Sequence, residues 1–523
     1  MRAKLFSTCL AGAVFSASLA GAQQSDVVTL KSFDGFTQLR GEILEFDGQT
    51  FSIKTGLGVI QVDALQVECE GEACPKNLMF GAEFGIFGSN AIGASLMPAL
   101  IQGYADRLNA DLVQELTAND NERVLRIIHE NGEEMAAIDL RAKGSAEASL
   151  GLSDRNATIG MSSRRMKDAE AVRMRQAGLN DPRDTDNEHI LALDGLIIVT
   201  HPSNPLNSIE LDELPYVFSG EVTNWSELGG PNQDIVLHTR EAASGTYDTF
   251  DSVVMSVAGE EMSPSAVNFT SNAELSDAVS RTPGAIGFTG AADVRAAKVL
   301  DLKQSCGIIS QPSTFSMKTE EYPLSRRLFL YDSPDDAPAH SRQLLDYALA
   351  DEAQGIIEEA GFVSLREERV TLASQGMRLV HAILGEPEFS LNDMREMLGQ
   401  LQEAERLSIT FRFNQGSTAL DARSARDARR LATDLTTGAH ANKEILLVGF
   451  TDSIGQADIN RGLSLRRANE VLATLSAVIG PNALNLLPIR TLGFGEIAPV
   501  GCNTTFEGRQ NNRRVEVWLR DLQ

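Results

Sequence analysis

The sequence Arg240-Glu-Ala-Ala-Ser-Gly-Thr246 places an arginine four residues before a Ser-Gly-Thr turn, and apolar residues at helical spacing follow it. Ser244 is therefore predicted to cap a helix whose first backbone N–H groups are unpaired. These donors and the helix dipole favour a negatively charged ligand. Arg240 adds a planar fork of donors that suits phosphate or carboxylate. An ordinary N-cap beside a surface arginine fits the same seven residues.

The composition bounds the kind of protein that carries this stretch. A chain of 523 residues is too long for one hydrophobic core, which predicts several domains. The formal net charge of −26 argues against nucleic acid as a partner, because nucleic-acid binding needs a basic surface. The overall field of an acidic protein repels anions, so local hydrogen-bond donors must hold any anionic ligand.

Residues 1–22 have the pattern of a signal peptide. A basic start with Arg2 and Lys4 precedes an apolar stretch and a small-residue cleavage site that ends at Ala22. A membrane anchor is the alternative, but the apolar stretch is short and rich in Ala, Ser and Gly. No later segment is apolar enough to span a bilayer. We therefore expect an exported, soluble protein with no transmembrane segment.

Four cysteines follow this segment. Cys69 and Cys74 are close enough in sequence to form a disulfide across a short loop, and export permits such a bond. Cys306 and Cys502 would join two distant segments, and the sequence leaves their pairing open. The cysteine spacing fits no zinc motif, so we expect neither a metal site nor a cofactor.

Residues 23–76 are predicted to form a small β-rich domain, because short runs in this segment alternate apolar and polar residues. Asp47-Gly48 is a hairpin signal between two of these runs. Both a small β-barrel and a β-meander fit the pattern. The segment carries no catalytic constellation, so its role cannot be inferred from the sequence.

From Met79 onward, apolar strands alternate with helices, and several strands run into small polar turns. The predicted strands are Phe84 to Ser89, Ala137 to Arg141, Ala157 to Met161, Ile197 to Val199 and Ile235 to Leu237. This alternation predicts an α/β domain with mostly parallel sheets. In such sheets a ligand lies beyond the carboxyl ends of the strands, where these turns fall.

Residues 77–367 resemble the periplasmic phosphate-binding proteins of the PstS type. The stretch from Arg240 to Thr246 and the string Phe218-Ser-Gly-Glu-Val-Thr-Asn-Trp225 are the most specific parts of the resemblance. The other similar motifs are Gly88-Ser89-Asn90, Ile159 to Arg164, Asn204 to Leu214, Gly284 to Phe288, Tyr322 to Arg326 and Gln354 to Val363. The resemblance implies a type II periplasmic-binding-protein fold, in which two α/β lobes close on one oxyanion.

The resemblance also implies which residues bind the anion. One lobe would contribute Arg240, Ser244, Gly245 and Thr246. The other lobe would contribute Ser89, Ser145, Ser163 and Arg164. Hydroxyls, backbone amides and guanidinium groups can together saturate a tetrahedral oxyanion. Turn and capping roles are the alternative for these serines.

Two positions depart from the family pattern. Ala91 stands where the family often has Thr or Ser, so one hydroxyl donor is missing. Transport phosphate binders usually have an Asp in the second-lobe turn, which here reads Ser162-Ser163-Arg164-Arg165. Because this turn lacks an acceptor for the proton of phosphate, selection against sulfate is weaker, and another oxyanion is an alternative ligand.

Residues 368–405 are predicted to be a helical linker. Apolar residues continue at helical spacing in this part of the chain, at Met394, Met397, Leu398, Leu401 and Leu407. A linker helix packed on a surface is the favoured interpretation, and a coiled coil is the alternative.

Residues 406–523 resemble the OmpA-like peptidoglycan-binding domain, which has an α/β fold. The similar motifs are Gly449-Phe-Thr-Asp-Ser453, Asn460-Arg-Gly-Leu-Ser464, Arg467-Ala468, Gly493-Phe-Gly-Glu496 and Gly508 to Glu516. The resemblance implies binding of the diaminopimelate of the cell-wall peptide. Asp452 would pair with its ammonium group and Arg467 with its carboxylate. Asn460 and Arg513 would support them, although ordinary surface charges remain an alternative.

Together, these features predict a periplasmic solute-binding protein that captures phosphate or a related oxyanion while anchored non-covalently to peptidoglycan near the outer membrane. An ABC permease or a sensor would be its partner. The first alternative is a structural envelope protein whose PstS-like domain has no ligand. The second is an enzyme such as a phosphatase, for which the sequence shows no nucleophile–base pair and no metal-binding motif.

Overall fold

The computed structural model describes residues 27–32, 37–46, 50–64, 67–71, 73–74, 81–117, 119, 121–184, 186–242, 244–332, 337–376, 380, 391–413 and 420–522. The predicted signal peptide and the Asp47-Gly48 turn lie outside them. The chain forms two compact units, residues 1–79 and 80–523. Within the described ranges, no helix has the length and apolar character needed to cross a bilayer.

The first unit is an antiparallel sheet of five strands in the order β4-β3-β2-β1-β5. Its strands are β1 (Val27–Ser32), β2 (Gln38–Phe46), β3 (Thr50–Thr55), β4 (Gly58–Asp63) and β5 (Val67–Glu70). Strands β2 and β3 pair across the predicted hairpin. The predicted Cys69–Cys74 disulfide is confirmed. Since β4 and β5 form opposite edges, the described strands make an open sheet and not a closed barrel; β1 to β4 form a meander, and β5 returns to pair with β1.

The second unit contains a mixed sheet of thirteen strands. They are β6 (Ala82–Gly88), β7 (Asp111–Leu116), β8 (Glu122–Ile128), β9 (Glu134–Ala142), β10 (Ile159–Ser162), β11 (Glu188–Thr200), β12 (Ser208–Glu210), β13 (Val236–Arg240), β14 (Val267–Phe269), β15 (Ala285–Gly290), β16 (Lys298–Lys303), β17 (Ile309–Ser310) and β18 (Ser325–Asp332). The five strands predicted from apolar runs are all present.

The long strands β11 and β18 divide this sheet into two lobes. They pair with each other, and β18 also pairs with β10 while β11 also pairs with β15 and β16. We call strands β6 to β10 and their helices lobe 1, and strands β12 to β17 and their helices lobe 2. The prediction of mostly parallel strands is correct for β6 with β9 and β10 and for β13 to β15, whereas β7 to β9 and the two crossing strands are antiparallel.

The helices of the two lobes alternate with these strands. They are α1 (Met97–Arg107), α2 (Ser145–Ser153), α3 (Asp168–Gln176), α4 (Leu214–Ser219), α5 (Gly245–Phe250), α6 (Ser256–Ala258), α7 (Asn272–Arg281), α8 (Thr314–Lys318), α9 (Ala339–Leu349) and α10 (Gln354–Glu359). Helices α1, α2, α3, α9 and α10 pack in lobe 1, and α4 to α8 belong to lobe 2. Phe218 and Trp225 are buried in the core of lobe 2, so these two motif residues serve packing.

The C-terminal part of the second unit is built on a third sheet, with the order β19-β20-β23-β21-β22. Its strands are β19 (Arg369–Thr371), β20 (Ala404–Arg412), β21 (Lys443–Gly449), β22 (Ile489–Gly493) and β23 (Arg514–Asp521). Its helices are α11 (Leu391–Leu401), α12 (Ala422–Thr437), α13 (Ala457–Ile479), α14 (Pro481–Leu484) and α15 (Phe506–Asn512). Helices α12 and α13 contribute to the core on one face of the sheet.

The stretch predicted as a helical linker is integrated into this C-terminal domain. Residues 369–371 form the edge strand β19, and α11 buries Met394, Met397 and Leu401 against the core that contains Trp518. Leu407, which had been grouped with this helical pattern, lies in strand β20. The helical spacing of Leu407 was coincidental, because Leu407 is paired with Arg369 of β19 in the sheet.

Buried charges and a disulfide join the C-terminal domain to lobe 2. Cys306 is bonded to Cys502, which resolves the pairing that the sequence left open. The Glu320 carboxylate lies 2.5 Å from Arg327 Nε and 2.7 Å from Arg423 Nη1, and Arg412 Nε is 3.4 Å away. These contacts explain why residues 80–523 form one compact unit.

Candidate functional site

Three of the predicted anion-binding serines lie at one edge of lobe 1. Strands β9 and β10 flank β6 and run parallel to it, so the three carboxyl ends meet at the same edge. Ser89 follows β6, Ser145 begins α2 after β9, and Ser163 follows β10. The Ser163 N–H donates to Ser145 Oγ at 3.1 Å, and the two hydroxyl oxygens are 3.0 Å apart.

Local backbone geometry explains this convergence. Gly88 has φ +145°, and a Cβ at this position would lie 1.9 Å from the carbonyl oxygen of Met161. Only glycine permits β6 and β10 to approach so closely here. Gly144, with φ +109°, precedes α2, whose first turn has no side-chain cap. The start of α2 therefore has backbone donors to offer a ligand.

The Ser89 hydroxyl is a buried polar group of this edge. Ser89 has 0% exposure, and its Oγ has no hydrogen-bond partner among the described residues. A buried hydroxyl without a partner is unfavourable unless something else accepts its hydrogen bond. Its backbone N–H donates to the carbonyl of Met161, so the position of the residue is well defined.

Lobe 2 contributes the stretch from Arg240 to Thr246. Ser244 caps α5 by accepting a hydrogen bond from Thr246 N–H at 3.2 Å, as the sequence predicted. The Arg240 guanidinium donates to Phe269 O at 3.1 Å, to Thr270 O at 2.7 Å and to Asn272 Oδ1. Burial lowers the pKa of Arg240. These contacts orient the guanidinium, and no carboxylate of the described residues is hydrogen-bonded to it.

The two lobes meet at Gly245 and Ala91. A Cβ on Gly245 would lie 2.3 Å from Ala91 Cα and 2.8 Å from Ala91 N. The beginning of α5 therefore touches the backbone just after Ser89, and the cleft is closed. The structure thus brings Ser244, Gly245 and Thr246 close to the carboxyl-end edge of lobe 1.

Arg164 was predicted as a further ligand, but its guanidinium is engaged by a carboxylate of its own lobe. It donates to the two oxygens of Glu170 at 2.7 and 2.8 Å. This hydrogen bonding is the largest cause of the raised pKa of Arg164, despite partial burial. Asp168 is exposed and pairs with Arg183. If Arg164 bound the anion, its guanidinium would interact with Glu170 and with the anion at the same time.

Arg326 is a residue of the cleft that the sequence reasoning did not select. It lies on the crossing strand β18, and its side chain is 8% exposed. Nη2 donates to Gly245 O at 3.2 Å, and Nε lies 3.4 Å from Asp194 Oδ2. Burial is the largest cause of its lowered pKa. Arg326 belongs to one of the motifs that resemble the family, Tyr322 to Arg326. Its contact with Gly245 joins residues that are 81 positions apart in the chain.

In the C-terminal domain, Asp452 and Arg513 already form an ion pair. Arg513 Nη1 lies 2.7 Å from Asp452 Oδ2, and the Ile454 N–H donates to Oδ1 at 3.1 Å. The Asp452 side chain is only 12% exposed. The sequence placed both residues in one predicted site, and the structure brings them together.

Arg467 lies close enough to this pair for the charges of both Arg513 and Asp452 to act on it. Its Nη1 is 3.5 Å from the carbonyl oxygen of Phe450, and the described carboxylates form no ion pair with it. Burial, followed by the nearby charge of Arg513, lowers its pKa. Asn460 donates to Glu496 Oε2 at 2.5 Å and contacts the carbonyl of Asp452 at 3.4 Å. An ammonium would suit Asp452, while a carboxylate would suit Arg467.

Glu367, Asp434 and His440 place one ligand-type atom each within 4.8 Å of one another. Arg369, however, donates to Glu367 Oε1 at 2.9 Å and lies 3.3 Å from His440 Nδ1. A histidine that binds a metal usually donates its other ring N–H to an acceptor, and here a guanidinium donor faces that nitrogen. This cluster is therefore better suited to an internal charge network than to a metal.

Comparison with known families gives two matches. Residues 124–352 match the PBP superfamily domain, and residues 412–513 match the OmpA family. The first match contains the predicted ligands from Ser145 to Thr246, and the second contains the Asp452 cluster.

Curated relatives resemble the part of the chain that forms the two lobes. The phosphate-binding protein PstS of Bacillus subtilis is 30% identical over 190 residues, covering 36% of this chain and 61% of the relative. The protein of the same name from Borreliella burgdorferi is 24% identical, covering 34% and 66%. Protein SphX of Synechococcus elongatus is 31% identical, covering 36% and 58%. The chain thus spans less than two thirds of each relative's length.

Two solved structures are also similar to parts of this chain. An ABC-type phosphate transport receptor from Vibrio cholerae aligns with a TM-score of 0.41 and 24% identity, covering 54% of this chain and 99% of the receptor. The peptidoglycan-associated lipoprotein from Burkholderia pseudomallei aligns with a TM-score of 0.19 and 21% identity, covering 21% and 89%. The chain thus contains one region that matches the PBP superfamily domain, residues 124–352, and a second region that matches the OmpA family, residues 412–513.

Proposed function

We propose that this protein binds inorganic phosphate or a related tetrahedral oxyanion in the cleft between its lobes. The observation that supports the proposal most directly is the backbone contact between Gly245 and Ala91, because it brings hydrogen-bond donors of both lobes close together. The buried, unpartnered Ser89 hydroxyl supports it. The relatives named as phosphate-binding proteins favour phosphate over other oxyanions.

The donors in this cleft suit an oxyanion better than a neutral ligand. Hydroxyls, helix-start amides and the Arg240 guanidinium all donate hydrogen bonds, and the net charge of −26 makes such local donors necessary. Ser163 supplies a hydroxyl where the family often has a carboxylate. A hydroxyl, unlike a carboxylate, is not charged and does not repel sulfate, so we expect weak discrimination between the two anions.

Replacing Arg240 with alanine is expected to weaken phosphate binding by about one to two orders of magnitude. The reason is the loss of a charge-assisted hydrogen bond, which contributes about 1.5–3 kcal/mol. Calorimetric titration of the mature chain with phosphate and with sulfate measures this effect. Arg281→Ala is the matched control, because Arg281 is an exposed arginine in α7 of the same lobe.

The same titration separates the proposed function from its alternatives. If folded protein freed of bound anion gives no heat with either anion, the lobes act as a structural module without this ligand. If it releases phosphate from monoesters and Arg240→Ala abolishes the release, the protein is an enzyme. Unchanged phosphate affinity in Arg240→Ala would remove Arg240 from the binding site.

We further propose that the C-terminal domain anchors the protein to peptidoglycan in the periplasm. Its support is that Arg467, which forms no ion pair with a described carboxylate, lies close enough to Asp452 for the two charges to interact. The free amino-acid end of diaminopimelate carries an ammonium and a carboxylate, which match this pair. Anchoring would limit the reach of the protein to a nearby ABC permease or sensor.

Asp452→Asn and Arg467→Ala are each expected to reduce binding to isolated cell-wall sacculi by at least about tenfold. Each change removes one of the two charges that we propose bind the ammonium and the carboxylate of the ligand. Co-sedimentation with purified sacculi measures the bound fraction. Arg466→Ala is the matched control, because Arg466 is the exposed neighbour of Arg467 on α13. Equal sedimentation of all four proteins would contradict the assignment of this site.

A further inference from the structure

One helix of the C-terminal domain spans both lobes of the anion-binding domain. Arg423, Arg426 and Arg430 occupy α12 at spacings of three and four residues, so they share one face of the helix. This face lies against the crossing strand β11. Each of the three arginines contacts the PBP-type part of the chain. We refer to them as the arginine row.

The first arginine of the row is bound to lobe 2. Arg423 donates to Lys318 O at 2.5 Å and to Glu320 Oε1 at 2.7 Å. Arg412 reinforces this end by donating to Thr319 O at 2.7 Å. The Cys306–Cys502 disulfide adds a covalent bond to the loop between β16 and β17. The C-terminal domain is therefore held firmly to lobe 2.

The other two arginines reach segments beside lobe 1: Arg426 contacts the end of the crossing strand β11 whose Ile190 packs in the core of lobe 1, and Arg430 contacts the turn after α9. Arg426 donates to Ile190 O at 3.1 Å, and its Nη2 is 2.9 Å from His189 Nδ1. These residues lie at the end of β11 that pairs with β18 next to β10. Arg430 donates to Leu365 O at 2.6 Å and lies 3.3 Å from Asp351 Oδ1. Asp351 follows α9, which packs against β6 of lobe 1.

The lobes are therefore connected in two ways, through the crossing strands β11 and β18 and through the rigid helix α12. If the cleft opens by rotation about the crossing strands, the Lys318–Glu320 segment and the His189–Ile190 segment change their relative positions. A helix cannot stretch to follow both segments. Opening must therefore break the contacts at one end of the arginine row.

We propose that the C-terminal domain is a brace that holds the two lobes in the closed arrangement, and that the cleft opens by releasing Arg426 and Arg430 from lobe 1. The contacts at this end are the weaker ones. They involve backbone carbonyls, one histidine and an Asp351 side chain that is 81% exposed. The lobe 2 end has the disulfide and the buried Glu320 carboxylate instead.

The brace has a consequence for ligand exchange, which rests on the proposed function. Each contact that favours the closed state makes opening rarer, so a bound anion leaves more slowly. By the same linkage, an anion in the cleft strengthens the contacts between the arginine row and lobe 1. The domain that we propose binds the wall would then also set the residence time of the anion.

The test measures the separation of the lobes directly and without added anion. Spin labels attached through non-thiol chemistry at Val172 of lobe 1 and Val257 of lobe 2 leave both disulfides intact; these side chains are 40% and 78% exposed. We expect one narrow distance distribution in the parent protein. The double variant Arg426→Ala/Arg430→Ala should add a second, longer distance in at least about a tenth of the molecules, a population typical of an accessible minor state.

Arg429→Ala is the matched control for this test. Arg429 lies between the two arginines in sequence, but its side chain is 58% exposed and its nearest carboxylate oxygen is 3.9 Å away. The control should reproduce the parent distribution. If the double variant keeps the parent distribution while circular dichroism shows a native fold, the brace is excluded. If the double variant does not fold, the single variants Arg430→Ala and Arg426→Lys give the same comparison.

A second readout separates this inference from the proposed function. Stopped-flow measurement of phosphate release should show at least a tenfold faster rate in the double variant than in Arg429→Ala. If no variant binds phosphate, the proposed function fails and the label distances still decide the brace. If phosphate binds but its release rate and the label distances are unchanged, the brace fails and the proposed function stands.

Discussion

Replacing Glu320 with glutamine is expected to lower the free energy of unfolding by about 3–5 kcal/mol, because it removes one partner from a buried ion cluster. Arg327, Arg412 and Arg423 surround this carboxylate at 2.5 to 3.4 Å, and its side chain is 18% exposed. Glutamine keeps the shape of the side chain, so the loss of stability measures the contribution of the charge. Three guanidinium groups would remain in place without their common counter-ion.

The backbone at Glu320 adds to the expected effect. Its φ of 57° lies in the left-handed region, which is unfavourable for a residue with a side chain. Its ion pairs, together with the hydrogen bond from its N–H to Met317 O at 3.0 Å, hold the residue in this conformation. Chemical unfolding of the parent protein, Glu320→Gln and Glu359→Ala measures the difference, and Glu359 serves as an exposed glutamate control at the end of α10. A loss below about 1 kcal/mol would contradict the prediction, because it is typical of a surface ion pair.

The pH dependence of the free energy of unfolding provides an independent test of this prediction. Burial raises the pKa of Glu320, but the charges of Arg327 and Arg423 outweigh it and hold the pKa far below its ordinary value. A depressed pKa in the folded state contributes stability that is complete above the unfolded value of about 4.3 and is lost as the pH falls below it. The parent protein should therefore lose more stability than Glu320→Gln on acidification below about pH 4.

Replacing Gly245 with alanine is expected to weaken phosphate binding by about 100-fold or more. The added Cβ would lie 2.3 Å from Ala91 Cα, and a backbone atom cannot move aside as a flexible side chain can. The lobes could not close, so the donors of lobe 1 and lobe 2 could not reach the same anion. Losing two charge-assisted hydrogen bonds at about 1.5–3 kcal/mol each accounts for this magnitude.

Calorimetric titration tests this prediction alongside a glycine that should tolerate the same change. Gly399 lies in helix α11, and a Cβ there would meet nothing within 4 Å. Gly399→Ala should therefore bind phosphate like the parent protein. Parent-like affinity in Gly245→Ala would show that the cleft binds its ligand without the contact between Gly245 and Ala91, and it would remove the observation on which the proposed function rests.

Much of the local structure could be predicted from the sequence, because its signals act over a few residues. Ser244 caps α5 since its hydroxyl reaches the Thr246 N–H two residues away. The apolar runs form strands, and the small polar turns fall at carboxyl ends, as at Ser89 after β6.

Side-chain directions could not be predicted in the same way. Arg164 was predicted as a ligand because an arginine suits an anion-binding turn. In the structure, however, its Nη1 and Nη2 both donate to the carboxylate of Glu170, six residues later. Arg326 was not selected, although it contacts the Gly245 carbonyl. In both cases the deciding partner depends on how a strand or helix is placed, which residue types and spacing do not encode.

The sequence by itself determined the resemblance to two families, the order of strands and helices, and the glycines and serines that form tight turns and caps. These features depend on interactions between residues that are close in the chain. Only the tertiary structure decided the Cys306–Cys502 bond, the packing of α11 on the C-terminal sheet and the position of the arginine row across both lobes. Such contacts join segments separated by up to about 240 residues, and they form only where two folded surfaces match in shape and charge, which no local pattern records.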